Sequence, residues 1–107
     1  MKMTKLTNIA FIRAQAGKGD LLGTWLNKLA SPSRNEPGCI NYDVHRSIDD
    51  PDMWFVYENW RSKDDLDAHF EMPYMKEFVA AIPDLVDGPL DLRHLTMTTE
   101  PAHAAAP

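Results

Sequence analysis

Residues 54–75 read WFVYENWRSKDDLDAHFEMPYM, and they decide the fold. Met53 to Trp60 is rich in aromatic and β-branched residues on alternating positions, the pattern of a strand. Apolar side chains fall on both of its faces, so the strand is central or covered twice. Ser62, with Asp65 three residues on, resembles a capping box and places a helix start. Leu66 and Phe70, spaced i and i+4, turn one face of that helix inward. Pro73 is tolerated in a first helical turn and restarts the helix. Met75, Phe78 and Ile82 then continue the apolar face, and Pro83 is expected to end it. Indoles, phenols, Glu58 and His69 crowded into one stretch give the chemistry of an apolar pocket with a few polar groups.

Upstream, residues 5–14 (KLTNIAFIRA) read as a strand with Ile9 and Phe11 on one face and Asn8, Ala10 and Ile12 on the other. Gly17 and Gly19 close it. Asp20 is expected to cap a helix whose Leu22, Trp25 or Leu26, and Leu29 recur at helical spacing, and Ser31-Pro32-Ser33 to stop it. Asn35-Glu36-Pro37-Gly38 is a turn. Residues 39–47 form the next strand, with Ile40, Tyr42 and Val44 alternating against Asn41, Asp43 and His45. One of His45 and Arg46 must point to the helix side. Residues 48–52 (IDDPD) connect a hairpin and lack the central Gly and distal Glu of a calcium loop. Gly88-Pro89 precedes a last strand over 90–98, and 99–107 is expected to be a flexible tail. The order β-α-β-β-α-β predicts a single α+β domain over 1–98. Its fold is ferredoxin-like, with a four-stranded antiparallel sheet. Two helices cover one face of such a sheet. The apolar residues on both sides of the first and third strands predict that a second copy covers the other face, giving a homodimer.

The 107 residues suit one domain. A net charge of −5 argues against nucleic acid, which needs a concentrated basic surface. No run approaches the ~20 apolar residues of a membrane span, and the N-terminal residues lack the apolar core of a signal peptide. Cys39 is the only cysteine, which excludes an intrachain disulfide and fits a cytoplasmic location. Asp43-x-His45 and His69-x-Glu71 are two-donor fragments without a third ligand at motif spacing, so no metal site is expected.

His69 is the candidate proton acceptor, because imidazole exchanges protons near neutrality. The structural alternative is a histidine bonded to Glu58 or to backbone. Trp60 is a candidate to stack a planar substrate, or simply a core indole; it and Phe78 are the candidate apolar walls, and Tyr42 is a further candidate substrate-binding residue. Tyr74 can hydrogen-bond a substrate oxygen, or lie on the surface against Met75. Asn8 sits mid-strand, where asparagine is disfavoured, so it is either edge-exposed or facing a cavity. Glu58, between Tyr57 and Trp60, needs a partner if buried, with His69 and Arg13 the candidates and an orienting role expected.

The segments EPGCINYDVHRS (36–47), YENW (57–60), LDAHF (66–70), PYMK (73–76) and Gly88-Pro89 together resemble the antibiotic biosynthesis monooxygenase family, in particular its bacterial quinol monooxygenase-like branch. The resemblance implies a dimeric α+β barrel with one pocket per subunit. It further implies oxidation of a small quinol, phenol or enolisable aromatic by O2 without metal or organic cofactor. In this family the helix-restart motif usually reads Pro-His, whereas here it reads Pro73-Tyr74. That departure leaves His69 to accept the proton, or points to different chemistry. Haem-degrading relatives use an Asn, Trp and His set. Trp60 matches their Trp, but Ala10 and Val79 stand where they have Asn and the axial His, so haem degradation is not expected. Two other functions fit the same resemblance: proton transfer on a small phosphorylated carbonyl compound, and non-enzymatic binding of a hydrophobic metabolite by a dimer.

Overall fold

The computed structural model describes residues 5–99. The elements run β1 (Leu6–Arg13), α1 (Gly19–Arg34), β2 (Cys39–Arg46), β3 (Met53–Trp60), α2 (Lys63–Phe70), α3 (Pro73–Leu85) and β4 (Asp91–Leu95). The sheet order is β2-β3-β1-β4 and every neighbouring pair is antiparallel, the ferredoxin-like arrangement. The expected tail falls mostly on residues 100–107, outside the described residues. No helix among the described residues is long and apolar enough to cross a membrane.

Alternation along the strands sorts the two faces. Asn8, Ala10 and Ile12 of β1 share one face with Trp54, Val56, Glu58 and Trp60 of β3, and the helices cover it. Leu22, Leu26 and Leu29 of α1, Leu66 of α2, and Met75, Phe78 and Leu85 of α3 are buried there. Burying side chains of this size stabilises by roughly 1.5–3 kcal/mol each. The opposite face carries Ile9, Phe11, Phe55 and Tyr57, each only half-buried. Phe11 and Phe55 stack at 5.0 Å between ring centroids, and the Arg93 guanidinium lies 5.4 Å from the Phe11 ring.

Ser62 caps α2 as the sequence predicts: its hydroxyl accepts from the Asp65 N–H at 3.2 Å. Pro73 opens α3 at its first turn. Other boundaries differ, each through contacts made at a distance. Asp20 does not cap α1; its carboxylate pairs with Arg46 at 2.8 Å. Pro32 does not stop α1, which runs on to Arg34. There the Asn35 N–H closes the last turn on the Ser31 and Pro32 carbonyls, and Arg34 Nε donates to the Tyr42 carbonyl of β2 at 2.9 Å. Pro83 likewise lies inside α3. The final turn is held by Gln15 Nε2 donating to the Pro83 carbonyl and by burial of Leu85. A register shift between Cys39 and Asn41 leaves Ile40 50% exposed rather than inward with Tyr42. Of the pair His45 and Arg46, Arg46 turns to the helix side, its guanidinium 4.9 Å from the Trp54 ring, while His45 packs on Phe55 of the other face. β4 ends at Leu95, short of the predicted 98, and every residue in it is exposed.

Candidate functional site

Strand register assembles the polar part of the site. Tyr42 of β2 lies opposite Glu58 of β3, Glu58 opposite Asn8 of β1, and Asn8 opposite His94 of β4. One row of the helix-covered face is thus polar across all four strands. Two residues along, the corresponding row is Val44, Val56, Ala10 and Leu92. A small pocket, partly open to solvent, lies over these rows. Leu26 of α1, Phe70 of α2, and Met75 and Phe78 of α3 close it from the helix side, and Leu90 and Leu92 border it at β4. Asn8, Tyr42 and Glu58 are its polar members. Among the described residues no basic side chain lines it.

Asn8 therefore faces the cavity, because β1 is an interior strand. Its Nδ2 donates to Glu58 Oε2 at 3.2 Å, while its Oδ1 is buried without a hydrogen-bond partner. Glu58 is 4% exposed, and its other oxygen, Oε1, accepts from Trp60 Nε1 at 2.9 Å. The expected partners of Glu58 do not pair with it. Arg13 is engaged with Asp50 at 2.7 Å, and His69 with Glu36. Burial without a cation pushes the Glu58 carboxyl up to about 7, against the hydrogen bonds of Trp60 and Asn8, which pull it down. Burial also drives the Tyr42 phenol far above its ordinary range, so it remains an O–H group.

His69, Tyr74 and Trp60 form a second cluster beside the pocket rather than on its wall. His69 is fully buried among Trp60, Phe70 and Tyr42, with ring centroids at 4.6, 5.3 and 5.7 Å. Its Nδ1 lies 2.8 Å from Glu36 Oε2. A carboxylate can only accept, so Nδ1 carries the proton and Nε2 is the bare nitrogen. Nε2 is buried without a partner. Burial lowers the pKa of His69, opposed by Glu36. The Tyr74 hydroxyl donates to the same Glu36 oxygen, and burial with that carboxylate raises its pKa. Trp60 joins the two clusters, since its N–H serves Glu58 while its ring packs on His69.

Glu36 is the member that the sequence reading passed over, because the turn around Pro37 and Gly38 reads as punctuation. Its signal was a carboxylate in an otherwise weakly charged turn, with no indication of its partner. Ser33 is wholly buried on α1 with an unpartnered hydroxyl, a position that Pro32 hides in the sequence because proline reads as a helix end. Cys39 is half-buried, and burial raises its thiol to about 11, so it remains a thiol.

The sequence and the fold have counterparts among known proteins. The Synechocystis protein sll1783 is 40% identical over 62 residues, which cover 58% of this chain and 42% of that protein. Rv0793 of Mycobacterium tuberculosis, named provisionally as a monooxygenase, is 31% identical over 65 residues, covering 61% of this chain and 63% of the relative. Both alignments span less than two thirds of the relative's length. Among solved structures, PA3566 of Pseudomonas aeruginosa superposes with a TM-score of 0.87 at 30% identity, over 92% of this chain and all of that one. The Rv0793 structure gives 0.84 at 26% identity, over 91% and 98%. Residues 6–81 match the family described as antibiotic biosynthesis monooxygenase, which takes in Asn8, Tyr42 and Glu58 of the sheet row, the Glu36–His69–Tyr74 cluster and most of α3. The chain belongs to the antibiotic biosynthesis monooxygenase family.

Proposed function

We propose that the protein is a cytoplasmic, homodimeric monooxygenase that oxidises a small quinol, phenol or enolisable aromatic with O2 and needs no cofactor. The observation that carries this reading is the pocket: apolar walls of Leu26, Phe70, Met75 and Phe78 over a floor where Asn8 leaves a buried, unpartnered carbonyl oxygen next to the Glu58 carboxyl. That oxygen can accept a hydrogen bond from a substrate hydroxyl, and a buried acceptor left unpaired costs roughly 1–3 kcal/mol. A phenolic O–H is one donor that can satisfy it.

Ground-state oxygen reacts slowly with closed-shell molecules, and an electron-rich phenolate overcomes this by giving up one electron. The site therefore has to favour the anion, hold the ring and exclude water. Phe78 and the aliphatic side chains hold the ring; Asn8 and the Tyr42 hydroxyl orient its oxygens. Trp60, His69 and Tyr74 support the site from behind the pocket. No Lys or Arg among the described residues lines the pocket, which disfavours the phosphorylated-carbonyl alternative, whose phosphate would need a cationic anchor. Dimerisation rests on the half-buried face of Ile9, Phe11, Phe55 and Tyr57, which a second sheet would cover.

The test is oxygen uptake by purified protein with a panel of hydroquinones and polyphenols, spontaneous oxidation subtracted, together with isotopically labelled O2. The expected result is enzyme-dependent uptake with one labelled oxygen atom in the product. Binding of these compounds without uptake would refute the oxygenase reading in favour of a binding module.

A further inference from the structure

Among the described residues that line the pocket only Tyr42 and Glu58 are titratable, and they face each other across the β2–β3 ladder. We propose that Glu58, not His69, is the proton acceptor of this pocket, with His69 and Trp60 as positioning residues behind it. The proposal rests on the monooxygenase reading above and names the group that serves it.

Three features support it. Glu58 borders the pocket, whereas His69 does not. The hydrogen bonds to Glu58 come from neutral donors, Asn8 Nδ2 and Trp60 Nε1, so no cation removes its basicity. Its carboxyl titrates at about 7, where a base is strong enough to take a phenolic proton yet still ionised. His69, in contrast, has its Nδ1 proton committed to Glu36, and it packs against the indole whose N–H serves Glu58. The other ionisable groups described around Glu58 are Tyr42 and Cys39 on β2, Glu36 before β2, His69 on α2 beyond Trp60, Tyr74 on α3, and His94 on β4 across from Asn8. From α1 the pocket receives Leu26. Glu36 adds to the upward shift of Glu58.

For a hydroquinone the steps balance as follows. Glu58 takes the phenolic proton, and the resulting anion gives one electron to O2. Semiquinone and superoxide then join through a new ring C–O bond. Glu58 returns its proton to the terminal peroxide oxygen. The ring C–H proton leaves as the O–O bond breaks, producing a hydroxyquinone and one water. All four electrons that reduce O2 come from the substrate, so no further reductant is required.

The test compares wild type, Glu58→Gln and His69→Gln, each first checked for folding by circular dichroism. With a turned-over quinol, Glu58→Gln is expected to lower kcat/KM by ~10²-fold or more and to abolish the acidic limb near pH 7. His69→Gln is expected to keep that limb, whatever its rate. A second readout needs no oxygen: the absorbance of bound nitrocatechol is titrated under nitrogen. In wild type the bound phenol and carboxyl share a proton, so ionisation comes in two separated steps. In Glu58→Gln it comes in one. Two steps without oxygen uptake would support Glu58 and refute the oxygenase reading. One step in wild type, failure to bind nitrocatechol, or loss of the acidic limb only in His69→Gln would overturn the assignment to Glu58.

Discussion

Glu58→Gln should make the protein more stable at pH 8, while changing little near pH 4.5. The carboxyl is buried with two neutral donors and no cation, and its pKa rises from 4.5 to about 7. Between those two values the folded chain holds a proton that the unfolded chain has released. Stability contributed by this group is therefore full below about pH 4.5 and is lost as pH rises through about 7. At about 1.4 kcal/mol per pH unit, the full loss is on the order of 3 kcal/mol. Glutamine stays neutral throughout and keeps nearly the same shape. Its amide can accept from Trp60 and, once the Asn8 amide turns over, donate to the now unpartnered Asn8 Oδ1. The assay is urea unfolding of both proteins from pH 4.5 to pH 8.5 at one protein concentration, compared as the difference between them. His69 is present in both chains, so its own titration cancels. The variant's advantage should grow by about 3 kcal/mol across the range, most of it before pH 7.5. Parallel stability curves would refute the reasoning, and would mean that Glu58 ionises in the fold as it does in water.

Two further outcomes follow from the packing. Gly23 of α1 sits against the Trp54 ring, and a methyl group there would overlap it. The indole cannot easily yield, since its Nε1 donates to the Gly19 carbonyl at 3.0 Å and Arg46 covers it. Gly23→Ala should therefore destabilise by about 1–3 kcal/mol despite the better helix propensity of alanine, read by thermal unfolding; a rise in Tm would contradict this packing. Phe55→Asp places a charge at the centre of the half-buried sheet face, beside Phe11 and His45. Light scattering should give twice the 12.1 kDa chain mass for wild type and the single-chain mass for the variant. A wild-type monomer would remove the case for dimerisation.

The element order, the two-residue alternation of β1 and β3, the Ser62 cap and the Pro73 restart were all legible from residues 5–98, because each is set by neighbours within a turn or a strand. So was the placing of Asn8, Ala10 and Ile12 on one face. The persistence of α1 past Pro32 and of α3 past Pro83 was not. A proline's local penalty there is outweighed by Arg34 bonding to β2 and by Gln15 and buried Leu85 at the end of α3. The site itself was half legible: its residue types stand in the sequence, but their grouping does not. Asn8, Tyr42 and Glu58 become neighbours only through strand register, and His69 finds Glu36 rather than Glu58 through a loop folded onto α2. Periodicity tells which face a side chain takes, since that depends on one strand alone. Which residues on that face meet, and therefore which carboxylate borders the pocket, is decided by pairing between distant segments, which only the tertiary structure supplies.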